Sequence, residues 1–295
     1  MRRQKPPMQG HSTRRWRGAI IAVLAGCGLW RAAAAPGGEP PLNDSPLSLM
    51  KTMGVPPGQP GKKILSIQPP EHGFFSKRLD YGGIAIKAHQ DVSDAALLEG
   101  QSRLAMMLAQ LPGVCRRLGE KGAELHIIGR NQGTSDLPEY RHLKGKPFEG
   151  TFTLDERTRG MGGLLTSCGE ENLLRLEQDR YRGRDICVHE FAHNIQDYGM
   201  TEAVGSQFRE QHRRSVDKGL WAGSYAGSNA HEFFAELSMW YWGTHGDSGM
   251  KGAKPAAGRE GLKAYDPEAF ALFDDFYCGK LETGAKGEGS PNSQL

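Results

Sequence analysis

The chain has 295 residues, 38% of them apolar and 24% charged, with 40 glycines. That is the make-up of an ordinary globular protein, and it excludes wholesale disorder, a collagen-like fibre and a polytopic membrane protein. The formal charge of +3 misleads: residues 1–26 hold six of the 37 basic residues and none of the 34 acidic ones, so the remainder has 31 against 34, a balance of −3. A nucleic-acid partner therefore lacks electrostatic support, and so small a balance points to no charged substrate.

In chain order, Arg14-Arg15-Trp16-Arg17 and the apolar run Ala19–Gly26 read as a signal peptide whose core is too short to span a bilayer. Leu24-Ala25-Gly26-Cys27 looks like a bacterial lipobox with Cys27 as the lipidated residue. Cleavage within Ala32–Ala35, twin-arginine export from Arg14-Arg15 and an uncleaved anchor are the other readings. Each places the body outside the cytoplasm, secreted or held at the cell envelope. The expected organisation is a signal peptide over 1–26, a Pro/Gly-rich linker over 27–70, one domain over 71–283 and a flexible tail over 284–295. A monomer is expected, with the membrane touched only through an anchor at Cys27. Cys115, Cys168, Cys187 and Cys278 permit two disulfides in three connectivities, between which the sequence does not choose.

Order is expected to begin near Phe74. Gly83–Ile86 reads as a strand, followed by a helix capped by Asp91 or Ser93. Leu97, Leu98, Leu104, Ala105, Leu108 and Leu111 give that helix one apolar stripe, and Pro112-Gly113 should stop it. Glu124–Ile128 reads as a second strand, and the glycine-rich stretch 160–165 as an edge strand. From Arg184 onward the pattern is helical over about 184–199, 202–218, 229–242 and 267–278. A β–α–β beginning followed by helices predicts an α+β domain.

The chemistry is concentrated in His189-Glu190-Phe-Ala-His193. On a helix, positions i and i+4 share a face, so both imidazoles can reach one metal ion. Glu190 sits one step round, placed as a general base; the pattern is the zinc metallopeptidase signature. A catalytic zinc needs a third protein ligand. The metzincin extension is absent, because Asn194, Ile195, Gln196 and Asp197 follow His193. Asn229-Ala-His-Glu-Phe-Phe-Ala-Glu236 offers Glu232 and Glu236, again at i and i+4 on an apolar helix. Burying two carboxylates there is costly without a cation or a hydrogen-bond donor, and a zinc ion and its histidines would supply both; the other reading is an exposed acidic face.

His189-Glu-Phe-Ala-His193, then Tyr225 seven residues before Glu232, then Glu-Phe-Phe-Ala-Glu236, resemble the catalytic domain of the anthrax lethal factor-like zinc metallopeptidases. The resemblance covers 189–236 and nothing in 71–180, so it carries over neither toxicity nor toxin substrates. It implies a zincin-like fold, with a small N-terminal sheet and helices followed by a helical region bearing the metal site. It further implies Zn2+ held by His189, His193 and Glu232, Glu190 as general base, Tyr225 donating to the developing oxyanion, and Glu236 steadying a ligand histidine. The implied activity is hydrolysis of a peptide or protein substrate. A zinc hydrolase acting on a non-protein envelope substrate and a non-catalytic, metal-stabilised surface module are the alternatives.

Other residues are ambiguous in the sequence. Gly169–Leu174 reads as a cleft wall or a solvated loop, and Asp197 as an orienter of His193 or a surface acid. Cys187 lies about 200° round the helix from His189 and so faces away from the metal. Trp240–Trp242 reads as core or as a sugar platform, and His231 as a surface or packing histidine. His89, His126 and His142 have no evident partners.

Overall fold

A computed structural model describes residues 63–246, 250 and 254–281. The leader, Cys27, the linker before residue 63 and the tail beyond 281 lie outside the described residues. The fold is mixed α+β.

The hydrophobic run Glu124–Ile128 forms the interior strand β4. Two sheet neighbours cover its edges, and its last four side chains are buried, as an interior strand requires. Before it come β1 (Leu65–Glu71), β2 (Phe75–Tyr81) and β3 (Ile84–Ala88). After it come β7 (Gly160–Met161) and β8 (Leu165–Gly169), with a small hairpin of β5 (Pro147–Glu149) and β6 (Phe152–Thr153) between. The main sheet has the order β1-β2-β3-β4-β8-β7. β3, β4 and β8 run parallel; the remaining pairs are antiparallel. Gly82 (φ +59°) and Gly83 (φ +91°) close the β2–β3 hairpin, since a two-residue turn of the right twist needs positive φ.

Two helices, α1 (Asp94–Leu108) and α2 (Pro112–Glu120), form the β3–β4 crossover. Ser93 caps α1 by accepting from the Ala96 amide. Two short helices, α3 (Leu154–Arg157) and α4 (Glu170–Leu173), flank β7 and β8. Then come α5 (Ile186–Asn194), a π turn at Ile195–Gly199, α6 (Glu202–Asp217), α7 (Ala230–Tyr241), α8 (Gly258–Tyr265) and α9 (Pro267–Tyr277). One core joins the sheet to these helices; Phe208, Phe233, Phe234, Phe273 and Phe276 fill its helical half.

Several elements refine or differ from the sequence reading. Order starts before Phe74: β1 lies partly in the stretch read as linker, and Pro69 and Pro70 are tolerated because β1 is an edge strand, where a missing N–H breaks no interior ladder. The first helix ends at Leu108, short of the expected stop at Pro112, and Pro112 instead opens α2 as a first-turn proline. The glycine stretch 160–165 is the edge strand β7 followed by a turn into β8. Gly258–Tyr265, polar and glycine-punctuated, is helical and packs beside α9. The four cysteines are free thiols. Cys168 and Cys187 are buried in the core, so Cys187 faces away from the imidazoles. Among the described residues no helix is long and apolar enough to cross a membrane.

Candidate active site

The helix α5 is buried along its whole length and held at both ends. Asp185 caps it, one carboxylate oxygen accepting from the Val188 amide at 3.1 Å and the other from Arg103 Nε at 2.7 Å. Asn172 accepts from the Ile186 amide at 2.8 Å, and Asn194 Nδ2 donates to Thr166 Oγ1 at 2.9 Å, tying the helix to β8. On α7, the Asn229 side chain caps the first turn by accepting from the His231 and Glu232 amides. α5 and α7 pack side by side, which brings two i,i+4 pairs face to face.

The result is a convergence of donors. His189 Nε2 and His193 Nε2 lie 3.3 Å apart. Glu232 Oε2 lies 3.3 Å from the first and 3.6 Å from the second. Four ligands around a small ion at bond lengths of about 2.0–2.1 Å sit about 3.3–3.4 Å from one another, so the three atoms already have the spacing of three corners of a tetrahedron. Glu232 Oε2 is buried and finds no hydrogen-bond donor among the described residues; an atom in that position calls for a cation. The donor set of two imidazoles and a carboxylate suits zinc, and His189, Glu190 and His193 form a buried group able to hold a metal ion.

The electrostatics agree. Burial opposes a charged His189, but Glu232 and Glu236 outweigh it and push the imidazole up to about 10. Burial would raise Glu232 as well; the two imidazoles instead hold it well below the ordinary carboxylate range. The pocket thus draws positive charge. Burial raises Glu190 against the opposing pull of His189 and His193. Burial, then Glu232, raises the Tyr225 phenol far above its ordinary range, so it stays protonated.

Tyr225 stands on the loop between α6 and α7, its ring stacked on His189 with centroids 6.1 Å apart. That loop is pinned by Trp221, which is buried and donates from Nε1 to Asp266 at 2.9 Å. Glu236 Oε1 lies 3.1 Å from His189 Nδ1, close enough to pair but without the alignment of a full hydrogen bond, and it accepts from the Arg184 guanidinium.

The structure therefore brings together His189, Glu190, His193, Tyr225, Glu232 and Glu236. It also adds residues that sequence reasoning did not single out. Arg184 is one, 52 residues from its partner. Gly160 and Gly162 are the others. A Cβ at Gly162 would lie 3.1 Å from His193 Cβ and 3.2 Å from Glu190 Oε2, and one at Gly160 would lie 2.5 Å from Ile186 Cγ2. Glycine at both positions lets the edge strand and its turn run directly against α5. The glycine-rich stretch itself was the available signal.

Several ambiguous residues are placed. Asp197 does not orient His193; its carboxylate faces His231 Nδ1 at 3.4 Å, because it sits in the π turn beyond α5. His231 is on the rim with 43% of its side chain exposed, stacked over His193. Glu170 and Glu171 form neither a cleft wall nor a solvated loop. Glu170 accepts from the Ser93 and Arg130 amides, and Glu171 pairs with Arg159. Trp240, Tyr241 and Trp242 are core. His126 has two partners, Glu124 and Glu139.

No protein-family model and no curated protein matches the chain. Among solved structures, the Pro-Pro endopeptidase PPEP-2 from Paenibacillus alvei is similar at a TM-score of 0.41 and 18% identity, over 62% of this chain and 92% of that one.

Proposed function

We propose that the chain is an exported zinc metallopeptidase of zincin type, cutting peptide bonds in an extended peptide or unstructured protein. The reading rests on one observation: Nε2 of His189, Nε2 of His193 and Oε2 of Glu232 converge at metal-ligand spacing, with a buried carboxylate and a phenol beside them. His189, His193 and Glu232 would hold the zinc. When bound, it supplies a Lewis acid that polarises the scissile carbonyl.

The chain's own residues supply the rest. Glu190, whose burial favours taking up a proton, accepts one from the attacking water and delivers it to the leaving amine. Tyr225, protonated throughout the neutral range, donates a hydrogen bond to the oxygen on which charge develops. β7 lies at the outer edge of the sheet, beside Glu190, where an extended peptide can add as a further strand. A structural zinc site is closed and has no use for a base or an oxyanion donor, which favours catalysis over a metal-stabilised surface module.

The test is cleavage of a proteome-derived peptide library by zinc-loaded protein, read by mass spectrometry, with Glu190→Gln as control. Wild type is expected to cut and Glu190→Gln to fall by about 10²–10⁴-fold while binding zinc as before. Equal cleavage by the variant would overturn the assignment of Glu190. No cleavage by zinc-loaded wild type would move the activity to a non-peptide envelope substrate.

A further inference from the structure

We propose that Arg184 is a positioning residue of the metal centre, acting through Glu236 on His189; the inference rests on the zinc reading above. Glu236 Oε1 is shared: it accepts from the Arg184 guanidinium and lies 3.1 Å from His189 Nδ1, on the far side of the ring from the donor cluster. Outer carboxylates of this kind fix a ligand imidazole's orientation and tautomer. This carboxylate is itself buried, with 4% of its side chain exposed, so its rotamer and its charge both depend on a cation brought to it.

Arg184 is built to be that cation. Its amide donates to the Tyr181 carbonyl at 3.1 Å, its carbonyl accepts from Asn172 Nδ2 at 2.7 Å, and the next amide, of Asp185, donates to the Thr244 carbonyl at 2.9 Å. On the remaining side Gly246 packs so closely that a Cβ there would lie 2.5 Å from Arg184 N and 2.9 Å from its Cγ. The backbone is thus fixed where α5 begins, and the side chain, 19% exposed, reaches α7.

The experiment measures zinc affinity by chelator competition in the full folded chain, for wild type, Arg184→Gln, Glu236→Gln and the double variant. Arg184→Gln is expected to weaken zinc about 10–100-fold, the usual effect of removing an outer-shell partner. Arg184→Lys, which keeps the buried charge and with it the fold, is expected in between. In the double variant the second change should add almost nothing, because both act through one contact. Wild-type affinity in Arg184→Gln, or losses that multiply in the double variant, would overturn the proposal and leave the zinc reading standing. A wild-type protein that takes up no zinc would overturn both. A second readout is the Nδ1–H proton resonance of His189 in the zinc-loaded protein, which should move in Arg184→Gln and in Glu236→Gln alike; a general loss of stability would not single it out.

Discussion

Two regions of this protein bury charge, and they do so in opposite ways. At the sheet, Lys87 donates to Glu71 at 2.8 Å and to Glu124 at 2.7 Å. His126, 2% exposed, is bracketed by Glu124 at 2.8 Å and Glu139 at 2.6 Å and packs at a tilt against the Phe75 ring. Each charge there has an opposite partner. Between α5 and α7, two imidazole nitrogens face one another at 3.3 Å and a carboxylate oxygen has no donor. The first cluster is complete as protein alone; the second is one that the proposed metal ion would complete. Unsatisfied convergence of this kind is what separates a site from a structural network, because a fold gains nothing by burying lone-pair atoms against one another.

The contrast can be broken at several points. The largest effect is expected at Glu232. Glu232→Ala removes a ligand and should weaken zinc by more than the about 10–100-fold that an outer-shell change costs, read by chelator competition. Without metal, the same variant should unfold at a lower urea concentration than wild type, since it removes the carboxylate that pairs with His189. Lys87→Met should leave zinc affinity unchanged and cost about 3 kcal/mol in urea unfolding, the low end of the range for orphaning a buried charge, because Glu71 is partly exposed.

A smaller effect concerns pH. Burial disfavours a charged His126, but Glu124 and Glu139 outweigh it and raise its pKa. A group raised on folding gives stability that is fully present below its ordinary value and fades as pH rises through the raised one. The melting temperature of wild type should therefore decline through that window, and His126→Phe should lose this part of the slope. An unchanged slope would mean that His126 is neutral in the fold.

How legible each region was follows from the range of its contacts. His189 with His193, and Glu232 with Glu236, are local helical repeats, so the chain displays them four residues apart. The capping residues Ser93, Thr201 and Asn229 stand next to the helices they start, and those helices were readable. One partner of His126, Glu124, stands two residues back on the same face of the strand and was open to sequence reading; the other, Glu139, is 13 residues on and was not. Arg184 was invisible for the same reason. β8, with Thr166, Ser167 and Cys168 at its centre, has no apolar run to betray it, yet pairing with β4 and β7 buries it. Glu170 and Glu171 looked solvated because their amide and arginine partners lie on other elements.

The central claim is that three side chains on two neighbouring helices form one metal site. X-ray absorption at the zinc edge, on zinc-loaded wild type and on His193→Ala, tests it most directly. The account predicts stoichiometric zinc in wild type with imidazole nitrogens and carboxylate or water oxygens at about 2.0–2.2 Å, and loss of an imidazole contribution in the variant. A sulfur shell at about 2.3 Å, or a zinc spectrum indifferent to His193, would place the metal elsewhere and contradict it.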